Sequence, residues 1–320
     1  RFSHGSSPHL AAALATFQRG ETYNIIFEWA EGGNLRYFWR TNQPSRQPKL
    51  DLVRWVAQQS IGLAGALEMI HKSTREESGI RKSLKPTIEF GRHGDIKPEN
   101  ILNFNGFKSP NGLGNLAIAD FGLTAFKTST RGHYRDQGHT PTYRAPEYDL
   151  NRGVTTQAYD IWSLGCLYLE FVTWILTGSY GDVKFTEART TKGIKDLPDD
   201  SYFVVNRGDA AGASRAEIKS SWIAKLRQHP NCSPFLQRLL DIIVNGMLVV
   251  DVENRIEASE CASALAEAAS LIETDSPGQT QNLEPTTVTR EPGSEIQREG
   301  KGVRLSRSNC SVSSILMVVG

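Results

Sequence analysis

The sequence His93-Gly94-Asp95-Ile96-Lys97-Pro98-Glu99-Asn100 places an acid, a base and an amide within eight residues. Asp95 can accept or orient the proton of an attacking hydroxyl group. Lys97 can neutralise a transferred anionic group, and Asn100 can bind Mg²⁺ through its amide oxygen, a hard ligand that suits this ion. Pro98 lacks an N–H group, so the stretch is predicted to be a loop and not a helix. Together these groups suit phosphoryl transfer, in which a protein mainly positions reactants and neutralises charge.

A second motif, Asp120-Phe121-Gly122, follows a predicted strand at residues 116–119. Asp120 offers another carboxylate for Mg²⁺, and Gly122 allows the backbone to turn sharply. The first stretch alone could be a polar surface loop in which an acid and an amide meet by chance. The presence of both motifs in this order lowers the probability of a chance match to about one in a hundred.

Both motifs resemble those of eukaryotic-type serine/threonine protein kinases: residues 93–100 resemble the catalytic loop, and residues 120–122 resemble the DFG motif. Residues 140–147, Thr-Pro-Thr-Tyr-Arg-Ala-Pro-Glu, resemble the substrate-docking loop and the APE motif. An apolar helix predicted at residues 158–176 begins with Asp-Ile-Trp-Ser-Leu-Gly-Cys at 160–166 and resembles the central helix of the large lobe.

The resemblance implies contacts for four further residues. Thr142 would hydrogen-bond towards the acid and the lysine of the catalytic loop. Glu147 would pair with Arg255, far down the chain, and such a buried pair can fix the register of the fold. Asp160 would anchor the backbone of the catalytic loop from below.

Two apolar runs, at residues 10–17 and 23–29, flank Arg19-Gly20-Glu21 and predict a β-hairpin. The second run and the following Ala-Glu-Gly-Gly resemble the fifth strand and the hinge of a kinase. The resemblance implies that Phe27 is the gatekeeper and that the backbones of Glu28 and Ala30 bind the adenine ring of ATP. On this stretch alone, an ordinary strand followed by a turn explains the residues equally well.

The expected fold is α+β: a protein-kinase-like two-lobe fold, mostly the helical large lobe, with an incomplete small lobe. Residues 1–30 would be the remnant of the small lobe, and residues 31–272 would be the large lobe with insertions at 72–92 and 178–220. These insertions resemble those of fungal kinase-like proteins. Residues 273–320, rich in Pro, Ser, Thr and Glu, predict a disordered tail. Periodicity predicts helices at 35–39, 51–71, 222–227, 234–248 and 257–272.

Upstream of the hinge strand the sequence has no Gly-rich loop and no strand lysine with a helix glutamate to pair it. In kinases those elements cover and hold the α- and β-phosphates. We therefore expect either a fragment of a longer protein or a kinase-like protein without most of its small lobe. The second case predicts weak ATP binding and exposed hydrophobic surface where the missing strands would pack.

The implied activity is Mg²⁺-dependent transfer of the ATP γ-phosphoryl group to Ser/Thr hydroxyls of protein substrates. Two alternatives remain open. The missing upstream lysine favours a pseudokinase that acts as a binding scaffold, whereas the intact Asp95, Asn100 and Asp120 oppose this reading. His-Gly-Asp at 93–95 also resembles the motif of aminoglycoside and choline kinases, which would make the protein a small-molecule phosphotransferase.

Gly94 stands where kinases usually carry an arginine that pairs with a phosphorylated activation segment. We therefore expect activity to depend only weakly on phosphorylation of this segment. Its candidate phosphorylation sites are Thr128, Ser129, Thr130 and Tyr134.

The chain has 320 residues, of which 39% are hydrophobic, and its net charge is +1. This balance gives no reason to expect nucleic acid or an acidic membrane as a partner. The four cysteines (Cys166, Cys232, Cys261, Cys310) are far apart, which predicts reduced thiols of an intracellular protein, cytoplasmic or nuclear, and neither disulfides nor a zinc site. No apolar run is expected to be long enough to span a bilayer.

Overall fold

The computed structural model describes residues 7–45, 48–75, 87–104, 112–127, 134–135, 140–151, 153–192, 198–206, 212–215 and 217–274. Three candidate phosphorylation sites, Thr128, Ser129 and Thr130, lie outside these ranges, and the fourth, Tyr134, is buried. The predicted tail also lies outside them from residue 275 onward.

Helices form the larger part of the regular structure within these ranges: α1 (Leu35–Thr41), α2 (Leu50–His71), α3 (Pro146–Leu150), α4 (Ala158–Arg189), α5 (Glu217–Arg227), α6 (Pro234–Ile242), α7 (Ala258–Ala269) and α8 (Leu271–Thr274). A π-helix (Ile243–Met247) continues α6 directly, so the helix predicted at 234–248 changes its hydrogen-bond pattern partway along. The helix predicted at 257–272 is divided into α7 and α8.

The strands are short and pair antiparallel: β1 (Ala13–Arg19) with β2 (Thr22–Phe27), β5 (Ile101–Phe104) with β6 (Asn115–Ile118), β8 (Tyr134–Arg135) with β9 (Val154–Thr155), β10 (Thr191–Lys192) with β11 (Pro198–Asp199), β12 (Phe203–Asn206) with β13 (Gly212–Arg215), and β3 (Ser73–Arg75) with β4 (Thr87–Arg92), which also pairs with β7 (Ala125–Lys127).

Helix α4 is the centre of the core. Its residues are buried on every side from Tyr159 to Leu176, which is expected of a helix that is apolar all round. Residues Ala158–Ser179 are long and apolar enough to cross a membrane, but 89% of the most apolar stretch is buried inside the protein. The expectation that no apolar run reaches this length was therefore wrong, and the run is explained by its place in the core.

The helix continues past its predicted end. Gly178 adopts φ +70°, a left-handed conformation that glycine tolerates, and produces a kink, after which the helix runs on to Arg189. The region 178–220, predicted to be an irregular surface insertion, therefore begins with helical residues. It also supplies core side chains, because Phe185 and Tyr202 are fully buried.

Helices α1 and α2 pack on α4 through aromatic rings. Phe38 and Trp55 have ring centroids 5.1 Å apart, and Trp55 meets Phe171 of α4 edge-on at 5.7 Å. Helix α2 also packs against α7. These contacts join α2 both to the central helix and to the last part of the described chain.

The predicted N-terminal hairpin is present as β1 and β2. Strand β1 is largely exposed, with Leu14 at 50% and Phe17 at 42% of their full accessibility. The preceding segment is tied to β6, because Leu10 is buried and forms a parallel bridge with Ile118 of that strand.

The region 72–92, predicted to be an insertion with no assigned role, contains the β3–β4 hairpin. Strand β4 ends at Arg92 and leads directly into His93. It is held on its other edge by β7, which follows the Asp120 motif. The region therefore delivers the catalytic-loop stretch to the core as the end of a small sheet.

Candidate active site

The stretch from His93 to Asn100 is held in place by Asp160, near the start of α4. The carboxylate of Asp160 accepts the backbone N–H of His93 at 2.7 Å and that of Gly94 at 2.8 Å. This is the contact that the resemblance implied. His71, expected only to end α2, also contacts Asp160 through Nε2 at 3.1 Å.

Asp160 is completely buried and still ionised. Burial alone would raise the pKa of its carboxyl group, but the hydrogen bond with His71 and the electrostatic interactions with His71, His93 and Arg92 lower this pKa below its usual value. The loop backbone is therefore bonded to an anion, which makes stronger hydrogen bonds than a neutral acceptor.

Three side chains converge on Asp95. Lys97 Nζ lies 2.7 Å from Oδ2, and Asn100 Nδ2 donates to the same oxygen at 2.9 Å. Thr140 Oγ1 donates to Oδ1 at 2.8 Å. The acid, lysine and amide of the quoted stretch thus form one cluster, as their spacing predicted.

Thr140 takes the position that had been predicted for Thr142. Lys97 Nζ donates to Thr140 Oγ1 at 2.8 Å, which links the threonine to both the lysine and the acid. Thr142 Oγ1 instead donates to Asp200 Oδ1 at 2.7 Å. The correction follows from the 3₁₀ turn at Pro141–Tyr143, which follows Thr140 and carries Thr142 away from the cluster.

Asp120 lies beside this cluster because β6 is tied to the loop. Ala119, just before it, donates its N–H to the carbonyl of Asn100 at 2.9 Å. Asp120 has φ +62°, an uncommon backbone conformation for a residue with a side chain, and its exposed carboxylate accepts the N–H of Gly122 at 3.2 Å. The left-handed backbone thus leaves the carboxylate of Asp120 exposed to solvent, one residue after the backbone contact with Asn100.

The donor atoms of Asn100 and Asp120 fit a magnesium ion. Both hydrogen bonds that Asn100 makes to Asp95 use the amide nitrogen, at 2.8 and 2.9 Å, which leaves the amide oxygen for a cation. An amide oxygen and a carboxylate are hard ligands, and Mg²⁺ completes its shell with water and phosphate oxygens. Within the described ranges, no group of three or more His, Cys, Asp or Glu side chains could hold a metal ion by itself.

His93 stays neutral inside the site. Its ring is fully buried, and burial lowers the pKa of the imidazole even though Asp160, the carbonyl of Ala119 and two other carboxylates oppose this effect. Phe121 packs edge-on against the ring at 5.5 Å. His93 therefore packs the catalytic-loop stretch onto the Asp120 motif.

The predicted hinge follows β2. Phe27 is the last residue of that strand, Glu28 is exposed and Ala30 is buried. The carbonyl of Ala30 accepts the N–H of Gly33 at 3.0 Å. Gly33 and Gly32 are fixed to β5 through the backbone of Asn103 at 2.8 and 3.0 Å.

A cleft of about 780 Å³ opens next to Lys97, between α1, the loop at residues 140–145 (the Thr140 loop) and the extension of α4 beyond its kink. Beneath it lies Glu170, fully buried, which accepts the hydroxyls of Tyr143 and Tyr202, both at 2.9 Å. Arg36 and Arg189 pair with the same carboxylate at 3.1 and 3.3 Å. This network was not predicted from the sequence, although Glu170, a charged residue within the apolar run of α4, was a signal of it.

The predicted pair between Glu147 and Arg255 is present. Arg255 Nη1 and Nη2 donate to the two carboxylate oxygens at 2.8 and 2.9 Å, and both residues are buried. Arg255 also donates to the carbonyl of Ala158 at 2.8 Å. The pair therefore joins the end of the Thr140 loop to the start of α4.

Comparisons with known proteins agree with this geometry. A family model described as "Protein kinase domain" matches residues 2–264. The serine/threonine-protein kinase sck1 of Schizosaccharomyces pombe is 26% identical over 264 residues, which cover 76% of this chain and 34% of the relative. Mitogen-activated protein kinase 11 of Arabidopsis thaliana is 32% identical over 174 residues, which cover 52% of this chain and 42% of the relative. The chain thus spans well under half the length of these relatives.

Proposed function

The chain belongs to the protein kinase family, since the family model covers residues 2–264, and we propose that it transfers the γ-phosphoryl group of ATP to Ser or Thr hydroxyls of protein substrates. The observation that carries the proposal is the convergence of Lys97, Asn100 and Thr140 on the carboxylate of Asp95. A single aspartate at this position could occur in a sequence by chance, but a carboxylate that is held by three side chains has a fixed orientation.

Asp95 would orient the acceptor hydroxyl and receive its proton. Its two oxygens are held by different partners, Thr140 on Oδ1 and Lys97 with Asn100 on Oδ2. A carboxylate fixed in this way loses little entropy when a hydroxyl group docks against it. Lys97, at 2.7 Å from that acid, is placed to neutralise the phosphoryl group as it moves towards the hydroxyl.

Asn100 and Asp120 would hold Mg²⁺ on the phosphates. When bound, the ion neutralises charge on the β- and γ-phosphate oxygens. The protein contributes the ligand positions: the amide of Asn100 is fixed by two hydrogen bonds to Asp95, and the carboxylate of Asp120 is presented by its left-handed backbone. Glu28 and Ala30 would bind adenine through their backbone.

Protein substrates are supported by the cleft beside Lys97, whose walls include α1, the Thr140 loop and the kinked end of α4. Serine/threonine specificity is supported by the Lys97 and Thr140 pair at 2.8 Å and by the printed names of relatives such as sck1. We also propose that residues 1–30 contribute to a small lobe and that residues 31–272 form the large lobe. In that lobe Glu147, Arg255 and Asp160 act as structural residues.

The test is phosphorylation of a generic Ser/Thr protein substrate with labelled Mg²⁺-ATP, using this chain and a version extended upstream. Asp95→Asn is the test variant. Asp51→Asn is its control, because Asp51 is exposed in the first turn of α2 and pairs with its exposed helix neighbour Arg54. Incorporation that is lost in Asp95→Asn and kept in Asp51→Asn supports the proposal.

Two results would overturn it. Absence of transfer by both versions, together with retained partner binding, would identify a scaffold. Transfer to choline or an aminoglycoside, but not to protein, would identify a small-molecule phosphotransferase.

A further inference from the structure

A buried carboxylate lies beneath the cleft beside Lys97. Glu170 is fully buried, and Tyr143 and Tyr202 each donate a hydroxyl hydrogen bond to it at 2.9 Å. Burying a carboxylate is costly unless its charge is paired and its oxygens are hydrogen-bonded. The cations that pair with Glu170 therefore bear on which side chains this cleft accepts.

Arg189 pairs with Glu170 from inside the protein. Its Nη1 lies 3.3 Å from Glu170 Oε1, and its side chain is only 2% exposed. It also donates to the hydroxyl of Tyr202 at 2.7 Å and to the carbonyl of Asp200 at 2.9 Å. One buried guanidinium balances one buried carboxylate, so the charge of Glu170 is already matched without a second cation.

Arg36 nevertheless supplies a second cation, and it does so from the wall of the cleft. Its Nη2 lies 3.1 Å from Glu170 Oε2 and donates to the hydroxyl of Tyr143, while its Nε donates to Glu99 Oε1 at 3.1 Å. Its guanidinium carbon lies 5.6 Å from the ring centre of Trp39, another residue of the cleft wall. Arg36 thus bridges the acid beneath the cleft and an acid that lines it.

The exposure of the three charged groups places this bridge at the surface of the cleft. Side-chain exposure is 0% for Glu170, 18% for Arg36 and 44% for Glu99. A guanidinium at this depth covers the deeper acid and is itself within reach of a side chain that enters the cleft. The two carboxylates form a site for one guanidinium group, the acidic site, and the chain fills this site with its own side chain.

We propose that Arg36 determines specificity in this cleft: it occupies the acidic site, so the cleft accepts peptides whose side chain at this point is neutral or acidic and rejects a basic one. The inference rests on the proposed function, because it names the class of peptide that the kinase site would take. A basic side chain would meet a fixed guanidinium instead of two carboxylates, and like charges in contact weaken binding. Discrimination of this kind comes from a repulsive group and not from additional contacts to the preferred peptide.

Arg40 offers a matched control on the same helix. It lies one turn after Arg36, lines the same cleft and is exposed. Among the described residues, the ion-pair partners of Glu99 and Glu170 are Arg36 and Arg189. Removal of Arg40 therefore changes the charge of the cleft by the same amount without opening the acidic site.

Peptide binding without ATP tests the inference. The probes are fluorescent peptides with a central serine and one flanking arginine, each paired with the same peptide carrying citrulline, a neutral isostere of arginine. Fluorescence anisotropy gives the affinities. We expect the unmodified chain and Arg40→Ala to bind arginine peptides no more tightly than citrulline peptides. Arg36→Ala should prefer arginine at one flanking position by about tenfold or more, because the peptide then supplies the hydrogen-bonded cation.

A double variant assigns this gain to the acidic site. Glu99→Gln removes one of its carboxylates at nearly unchanged size, so Arg36→Ala combined with Glu99→Gln should lose most of the preference for arginine peptides. A preference that the double variant keeps in full would place the attraction elsewhere and overturn the inference. A preference of about tenfold for arginine peptides in the unmodified chain would also overturn it.

A second substitution and a thermal measurement cover the case in which Arg36→Ala folds poorly. Arg36→Gln keeps a hydrogen-bond donor and removes the charge, and it should show a gain of the same sign. Millimolar methylguanidinium should raise the unfolding midpoint of either variant, followed by circular dichroism, because a ligand of the folded state stabilises it. Methylammonium is the control cation. Folded variants that show neither the peptide preference nor this rise would refute the assignment of Arg36.

The outcome is separable from that of the proposed function, because the binding test uses no ATP. A gain of arginine preference in Arg36→Ala, with no phosphoryl transfer by any version of the chain, would keep the inference for a peptide-binding cleft and reject the proposed activity. Phosphoryl transfer without such a gain would keep the activity and reject the inference.

Discussion

Replacing Glu147 and Arg255 of the buried pair one at a time should cost more in total than removing both members together. The two guanidinium nitrogens reach the two carboxylate oxygens at 2.8 and 2.9 Å, and the side chains are 5% and 0% exposed. The perturbation is a cycle of three variants: Arg255→Met, Glu147→Leu and the double variant. Each replacement is apolar and fills much of the original volume.

The magnitude follows from what each single variant leaves behind. Arg255→Met leaves a buried carboxylate without its two donors, and such an orphaned charge costs about 3–5 kcal/mol of unfolding free energy. The cost of Glu147→Leu should lie near the lower end of this range, because Arg255 keeps the carbonyls of Val249 and Ala158 as acceptors at 2.9 and 2.8 Å. The double variant leaves no buried carboxylate, so it should cost at least about 2 kcal/mol less than the sum of the singles.

Urea unfolding followed by circular dichroism measures all four free energies. The control cycle uses Asp51 and Arg54, an exposed pair at 3.4 Å on α2, whose coupling should stay below about 0.5 kcal/mol. If the Glu147 and Arg255 costs add within about 0.5 kcal/mol, the two side chains are not energetically coupled and the reasoning fails.

Three further predictions concern the catalytic-loop stretch and its neighbours. Thr140→Val should lower kcat for phosphoryl transfer about tenfold or more, because a hydrogen bond to a charged group is lost. Thr142→Val should keep kcat within about threefold of the unmodified chain. Steady-state kinetics measure both values. Gly94→Ala should destabilise the chain by about 2 kcal/mol through its backbone conformation, φ +87°, and crowding against the guanidinium of Arg92, and by less when Arg92→Met is also present, which urea titration measures. Burial lowers the pKa of His93, so its contribution to stability is fully present above about pH 6.5 and is lost as pH falls through the lowered pKa; urea titrations between about pH 7.5 and 5.5 should show stability falling.

Local pattern was enough to place the cluster around Asp95. The acid, lysine and amide lie within six residues, so their spacing alone brings them together once Pro98 keeps the stretch out of an α-helix. The contact between Asp160 and the loop backbone came from resemblance, since no spacing rule joins residues 67 positions apart.

Other features depended on geometry that a sequence does not carry. Whether Thr140 or Thr142 contacts Asp95 depends on where the 3₁₀ turn begins. The turn starts directly after Thr140, so the hydroxyl of Thr140, and not that of Thr142, faces the acid. The polar residues after Gly178 suggested a loop, yet that helix buries Phe185 and Arg189. The contacts of Arg92 could not be predicted from the sequence, because its partners Tyr134 and Thr155 lie on strands 42 and 63 residues later, which no local pattern connects.

The packing of α2 against α7 has a consequence for how the chain is made. About 190 residues separate the end of α2 from the start of α7. A ribosome adding about 5–20 residues per second needs roughly 10–40 s to cover that distance. Throughout this interval the part of α2 that α7 will contact is without its partner, although α4 is made earlier within it. Nascent chains stalled before α7 should therefore be bound by holding chaperones, and release should coincide with synthesis of the last described helices.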